Sequence, residues 1–352
     1  MKPKLELIKI QQLPSGDALN IMAYRFKGDG TKKVYIQANI HGPEMIGILV
    51  AKKLIQYLKT NKTNFKELII IPSCNPIGLN QQFIGQQTGY VNHLTGTNWN
   101  RTYKNLSGGE TIKDGVTMKE FKKILSENLQ KRKITETDTE SQLALTLQEL
   151  SLDSDIIIDL HTAWGTAPQY VYGYEDYIED TKKFGIGNII LLDRQNFSGV
   201  FDESHLYPYF SNKDKIKDFK IPKSVFTLEL GSDCSIEEKD IESGFEKLMS
   251  YLAHEKIVTF KNKTETKNQF DICDLNDFVY YNAPKGGLLV WKKDVNEHIN
   301  KGDTICEIHE LLSDNIMKVV ATAPCKLIIK FNASAVHQGQ KIAKVMTQMR
   351  RE

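Results

Sequence analysis

Four short segments of this 352-residue chain carry side chains suited to metal or acid–base chemistry. In Asn39-Ile40-His41-Gly42-Pro43-Glu44, an imidazole and a carboxylate stand three residues apart, where a strand-like run gives way to helical periodicity. On the first turn of a helix, that spacing puts both side chains on one face. Such a pair is half of the His2Glu donor set that holds a catalytic zinc with one position open. It also suits a carboxylate favoured by a helix N-terminus beside a polar loop histidine. Asp159-Leu160-His161-Thr162 follows the apolar residues 156–158, so His161 falls at the C-terminal end of a buried strand. In open α/β sheets ligands bind outside those carboxyl ends, where His41 is also expected. Asp159 is placed to orient a metal-bound histidine or to cap the strand.

The other two segments offer a base and an anchor. Glu229 interrupts the apolar strand Phe226-Thr227-Leu228-Glu229-Leu230-Gly231. A carboxylate there is costly unless it is paired, functional or turned to solvent from an edge strand, and partial desolvation suits it to proton transfer. In Asn98-Trp99-Asn100-Arg101, Asn100 and the guanidinium of Arg101 could hold a substrate carboxylate, since Arg binds carboxylates through two parallel hydrogen bonds.

These segments need a scaffold. Strand-like runs at residues 5–11, 20–26 and 33–40 are separated by turn chemistry at Pro14-Ser15-Gly16-Asp17 and Gly28-Asp29-Gly30. Residues 44–58 carry apolar side chains at helical spacing, and residues 68–71 form a short, wholly apolar strand ending at Pro72. Residues 75–115 read as loop. Helices are expected at 117–130, 141–152 and 236–254, and further strands at 155–160, 186–192 and 224–230. This alternation predicts an α/β domain, residues 1–260, with a mostly parallel or mixed central sheet flanked by helices. Residues 261–269 read as a polar linker. Beyond them residues 283–305 are echoed by 323–342, as in Ala283-Pro284 and Ala323-Pro324, or Lys301-Gly302-Asp303 and Gln338-Gly339-Gln340. Two related β units predict a small all-β barrel-sandwich domain over residues 261–352.

Composition narrows the function class. Forty-six Lys plus Arg against 44 Asp plus Glu gives a net charge of +2, which argues against nucleic acid or an anionic membrane as partner. No apolar run approaches the ~18–20 residues of a membrane-spanning helix, and residues 1–6 lack the apolar core of a signal peptide. The five cysteines are scattered, with no CxxC pair, and read as reduced thiols of a cytoplasmic protein.

The order HxxE, NR, H, E resembles the zinc carboxypeptidase superfamily, specifically its succinylglutamate desuccinylase/aspartoacylase branch. The resemblance rests on His41-Gly42-Pro43-Glu44, Asn75-Pro76, Asn100-Arg101, Asp159-Leu160-His161 and Glu229-Leu230-Gly231, and it extends to the β-domain. It implies that His41, Glu44 and His161 bind one Zn2+, that Glu229 is the general base, and that Asn100 and Arg101 grip a substrate carboxylate. It further implies that the β-domain narrows the cleft, favouring deacylation of a small N-acyl amino acid. A metallocarboxypeptidase or amidase acting on a peptide-like substrate, or a non-catalytic binding module, stays open, as does a homo-oligomer. The segment Asp202-Glu203-Ser204-His205 with Tyr207 and Tyr209 resembles a stretch found in this group, and Tyr207 is a candidate for lining the pocket. Two departures stand out. No arginine lies between Asn75 and Arg101, where members carry one that polarises the scissile carbonyl, leaving Gln82, Gln87 and His93 as candidate donors. Asn98 stands where members commonly have Asp. The tail is also similar to biotinyl/lipoyl carrier domains through Ile316-Met317-Lys318-Val319, but Lys318 lies 14 residues beyond Thr304 and out of register for a modified hairpin-tip lysine.

Overall fold

A computed structural model describes residues 2–108, 112–260 and 269–352. The linker expected at 261–269 lies, but for its last residue, outside the described residues. The chain divides into two compact units that alternate along the sequence. The first comprises residues 1–161, 193–227 and 241–264, and the second 162–192, 228–240 and 265–352. The fold is mixed α/β, with small antiparallel sheets in the C-terminal region.

The first unit begins with β1 (Lys4–Gln12), β2 (Ala18–Lys27), β3 (Lys33–Ala38), α1 (Ile46–Thr60) and β4 (Glu67–Ile71). It continues through the short α2 (Pro76–Asn80) and the two-residue strands β5 (Gln82–Phe83) and β6 (Gln86–Gln87). Next come α3 (Met118–Thr135) and α4 (Thr139–Ser151). Helix α3 starts where a capping box forms, Thr117 accepting from the Glu120 amide while Glu120 bonds back to Thr117. β7 (Ile156–Ala163) runs from the first unit into the second. The second unit then adds β8 (Tyr170–Gly173), α5 (Ile178–Lys182) and β9 (Asn188–Leu191). Back in the first unit, α6 (Phe201–Phe210) precedes β10 (Ser224–Ser232) and α7 (Glu238–His254), both of which also cross the boundary.

In the first unit the sheet order is β1-β2-β4-β3-β7-β10. The first two pairings are antiparallel, whereas β4–β3 and β3–β7 are parallel. β3, β4 and β7 are almost wholly buried, as expected of central strands covered on both faces. Because β3 and β7 are parallel and in register, Ala38 opposite Leu160, the turn after β3 and the end of β7 emerge side by side. One part of the sequence expectation needs correction. Helix α1 begins only at Ile46, so His41 and Glu44 lie in the turn before it, closed by the Glu44 amide donating to the His41 carbonyl at 3.1 Å. Turn geometry, not a helix face, brings the two side chains together.

Three glycines let the loop over residues 75–98 approach that turn. Gly42 N–H donates to the Gly89 carbonyl at 3.0 Å. A Cβ on Gly42 would lie 2.0 Å from the Gly78 carbonyl oxygen, and one on Gly89 would lie 1.9 Å from the same atom. Only glycine permits so close a backbone approach.

Helix α6 was not anticipated from sequence. It contains Pro208 and buries Asp202 and Glu203 in its first turn. Glu203 accepts from the Ser198 amide at 2.6 Å and from its hydroxyl. Asp202 accepts from its neighbour's amide and from the Thr227 hydroxyl on β10 at 2.9 Å.

In the second unit, the C-terminal half of β10 leads into the order β10-β8-β9, extended by β11 (Asp271–Asp274). The remaining strands are β12 (Phe278–Asn282), β13 (Gly287–Trp291), β14 (His298–Ile299), β15 (Thr304–His309) and β16 (Ile316–Val320). They are followed by β17 (Cys325–Lys330), β18 (Ala335–Val336), β19 (Lys341–Thr347) and β20 (Arg350–Arg351), the last pairing with β11. Two four-stranded sheets, β12-β19-β17-β14 and β16-β15-β13-β18, have the same order under exchange of the two sequence repeats. Each repeat gives its short strand to the other: β14 pairs with β17, and β18 with β13. Ile299, Ile305, Leu327 and Val345, drawn from both sheets, share one core. Lys318 is exposed in the middle of β16 opposite Glu307, not at the hairpin tip. Beneath this region Lys326, on β17, donates to Asn188 and to Asp271, both at 2.7 Å, and Asp271 also accepts from Arg351.

Three outcomes follow from this packing. Gly42→Ala should lower unfolding stability in urea by about 1–3 kcal/mol, because the added methyl must displace backbone. Burial and the neighbouring Glu203 carboxylate push Asp202 up to about 6. A carboxyl whose pKa is higher in the folded chain than in the unfolded one favours folding when protonated. Its contribution is full below about pH 4 and is lost as pH rises through 6. Asp202→Asn, whose amide can still meet Thr227 and the Glu203 amide, should therefore stabilise the protein above pH 7 by roughly 2 kcal/mol, with the gain vanishing near pH 4. Finally, Asp271→Ala leaves the Lys326 ammonium buried and uncompensated and should cost roughly 3 kcal/mol, more than Lys326→Met, which leaves Asp271 paired with Arg351. Urea titrations of the wild type and of the Asp271→Ala and Lys326→Met variants check the order.

Candidate metal centre

The turn after β3 is built around Asn39, which is buried and left-handed, with φ 68°. Asparagine is among the few non-glycine residues that tolerate this conformation. Its Nδ2 donates to the carbonyls of His41 at 2.9 Å and Gly42 at 3.0 Å, and its Oδ1 accepts from the Ser73 hydroxyl. Asn75 fixes the turn from the other side. It caps α2 by accepting from the Gly78 amide and donates to the Ile40 carbonyl at 2.7 Å. The Asn75-Pro76 motif thus shapes the backbone that presents His41.

His41 Nδ1 lies 2.8 Å from Glu44 Oε1, and His161 Nδ1 lies 2.8 Å from Glu44 Oε2. One donor atom from each residue falls within 4.8 Å of the others, and among the described residues this is the one such group of three. Glu44 and His161 are buried and His41 is partly so. Two imidazole nitrogens and one carboxylate oxygen form a donor set that zinc takes in catalytic sites. Tetrahedral ligands at 2.0–2.2 Å from a zinc stand about 3.4 Å apart, within the spread found here. The group fits a metal.

Hydrogen bonds behind the histidines decide which nitrogen is available. Asn98 Oδ1 accepts from the Asn100 amide at 2.8 Å, which fixes the orientation of the side-chain amide. The same oxygen is 3.1 Å from His41 Nε2, so that nitrogen carries a proton and Nδ1 is the one turned to Glu44. His161 Nε2 is 2.9 Å from Asp159 Oδ2 and its Nδ1 is 2.8 Å from Glu44 Oε2, so the ring stands between two carboxylates, with Asp159 behind the nitrogen that faces away from Glu44. Asp159 and His161 can meet because alternate residues of a strand share a face.

The electrostatics are those of a desolvated charge cluster. Burial pushes the Glu44 carboxyl up, but the two histidines outweigh it and hold the group down at about 2. Burial opposes the charged form of His161, yet the Asp159 and Glu44 carboxylates raise its pKa well above the usual imidazole range. The pocket is thus arranged for positive charge at the position between the three donors.

The other sequence candidates are distributed as follows. Asn100 and Arg101 occupy the single turn Trp99–Arg101 that follows Asn98. Asn100 Oδ1 accepts from the Phe201 amide at the start of α6, leaving its Nδ2 as a donor, and the exposed Arg101 donates through Nη1 to the Asn100 carbonyl. Tyr207 lies on α6 with its ring 5.3 Å from that of Phe197, apart from the His–Glu–His contacts. Glu229 lies in the second unit, buried on β10 with 9% of its surface exposed. The described contacts of Gln82, Gln87 and His93 stay within their own loop: the two glutamine amides meet each other, and His93 meets Thr88. Sequence reasoning missed Tyr90, whose ring stands 5.3 Å from that of His41. An aromatic in a polar loop carries no signal of this, and only the Gly42–Gly89 contact beside it does.

Comparisons with known proteins agree with this architecture. Residues 30–255 match the model of the succinylglutamate desuccinylase/aspartoacylase catalytic domain. No curated protein matches the chain. Among solved structures, a protein of Shewanella frigidimarina NCIMB 400 that carries the succinylglutamate desuccinylase/aspartoacylase name is 27% identical, with TM-score 0.87 over 99% of this chain and 98% of that one. A family protein of Shewanella amazonensis SB2B is 26% identical, with TM-score 0.87 over 99% and 100%. The ectoine utilization protein EutE (DoeB) of Ruegeria pomeroyi, a product-bound structure at 15% identity, shares the fold with TM-score 0.70 over 99% and 96%. With more than half of its length matched by the family's catalytic domain, the chain belongs to the succinylglutamate desuccinylase/aspartoacylase family.

Proposed function

We propose that this protein is a zinc-dependent amidohydrolase that removes the acyl group from a small N-acyl amino acid in the cytoplasm. The observation that carries the reading is the convergence of His41 Nδ1, Glu44 and His161 Nδ1, each histidine bonded through Nε2 to a group outside the cluster, Asn98 or Asp159, with its Nδ1 turned toward Glu44. A zinc ion bound by these residues supplies Lewis acidity toward the amide carbonyl and toward water. The chain supplies the rest. Asn100, through its free Nδ2, and Arg101, through its exposed guanidinium, bind the carboxylate of the amino acid. Both lie within three residues of Asn98, which touches His41, so the loop that carries the anchor also contacts one of the three donors. That closeness favours a substrate with one amino acid between its carboxylate and its scissile amide. Glu229 takes a proton from the attacking water and passes it to the leaving nitrogen. The new C–O bond replaces the C–N bond, and the products are a carboxylate and a free amino acid. Tyr207 contributes to the wall that receives the substrate.

Metal analysis combined with a panel of N-acyl amino acids tests this. His41→Ala and His161→Ala should each lose stoichiometric zinc. Glu229→Gln should keep zinc and its thermal stability while kcat falls by about 10²–10⁴-fold. A histidine variant that retains one zinc per chain would remove the metal assignment. Turnover of peptides, with none of N-acyl amino acids, would remove the substrate assignment.

A further inference from the structure

The two histidines have unequal partners. His161 donates its Nε2 proton to a buried carboxylate, Asp159, at 2.9 Å, whereas His41 donates its Nε2 proton to a neutral amide, Asn98, at 3.1 Å. A carboxylate behind an imidazole raises the basicity of the opposite nitrogen far more than an amide does, because its charge stabilises the proton being shared. Asn98 is itself held by the Asn100 backbone amide at 2.8 Å, so its oxygen cannot rotate away and be replaced by Nδ2. We infer that Asn98 is a positioning residue that fixes the His41 tautomer yet keeps His41 the weaker of the two metal-binding histidines, setting the protein's zinc affinity below what its geometry allows.

The charge count gives this a purpose. A divalent cation between the donors is balanced by Glu44 and Asp159, so the loaded centre is close to neutral. An aspartate at position 98 would make it an anion and would weaken both the Lewis acidity of the metal and its attraction for a carboxylate-bearing substrate. Asn98 therefore exchanges affinity for electrophilicity, and the centre releases zinc more readily than one backed by two carboxylates.

The inference rests on the zinc reading above, and chelator competition separates the two. Against the wild-type protein, Asn98→Asp should tighten zinc binding by about 10-fold or more, while Asn98→Leu and Asp159→Asn should each weaken it by about 10–100-fold. A proton attached to nitrogen-15 reports the mechanism in the zinc-loaded protein labelled at histidine. The Nε2 proton of His161, donated to a carboxylate, should resonate further downfield than that of His41. Asn98→Asp should bring the His41 proton downfield to match while leaving His161 in place, a change that added charge without a hydrogen bond would not produce. An Asn98→Asp protein with zinc affinity within twofold of wild type, or a wild-type His41 lacking an Nε2 proton, would overturn the inference with the zinc reading intact. Wild-type protein that binds no zinc would overturn both.

Discussion

Glu44 is a buried carboxylate held between two imidazoles, and a charge in that position is tolerable only if its partners cannot drift. The geometry of the first unit serves this constraint. Parallel pairing of β3 with β7 brings His41 and His161 to the same end of the sheet. Asn39, in a conformation most residues avoid, gathers the carbonyls of His41, Gly42 and Glu44 onto one side-chain amide. Asn75 holds Ile40 from outside the turn, and Gly42, Gly78 and Gly89 let the loop bearing Tyr90 and Asn98 close against it. Each device is local, and together they define one position where positive charge is welcome.

Much of this could be read from the sequence, for identifiable reasons. The apolar runs of β3, β4 and β7 are long enough and dry enough to announce central strands, and polar residues at their C-terminal ends point to a site there. The repeat in the tail survives as a sequence echo because its two halves occupy equivalent places in two sheets. Other features were hidden. Helix α6 is buried nearly all round, charged residues included, so it lacks the one-sided apolar stripe that periodicity detects, and Pro208 argues against a helix. Glu44 falls outside α1 because the helix cannot begin until the chain has left the left-handed kink at Asn39 and the turn through Pro43. Asn39 itself looks in sequence like any polar residue at a strand end. Its role depends on three carbonyls that only the folded turn brings within reach.

Two neutral groups stand against His41. The position beside His41 is occupied by the Tyr90 ring, and the position behind it by Asn98. Both groups are neutral and both are polar. The site thereby depends less on long-range charge and more on short hydrogen bonds, which are less sensitive to ionic strength.

The alternation of the two units along the chain has a consequence for how the protein can be synthesised and dissected. Strand β9 is completed by β11, some eighty residues later, and β11 in turn by β20. A fragment ending near residue 260 would keep His41, Glu44 and His161 but would leave β9 with an unpaired edge of backbone donors and acceptors, a template for aggregation. On the ribosome, likewise, β8 and β9 must wait for partners not yet made. Such long-separation pairing slows folding. The smallest stable form of this protein that keeps His41, Glu44 and His161 in place is therefore expected to be nearly the whole chain, even though all three come from its first half.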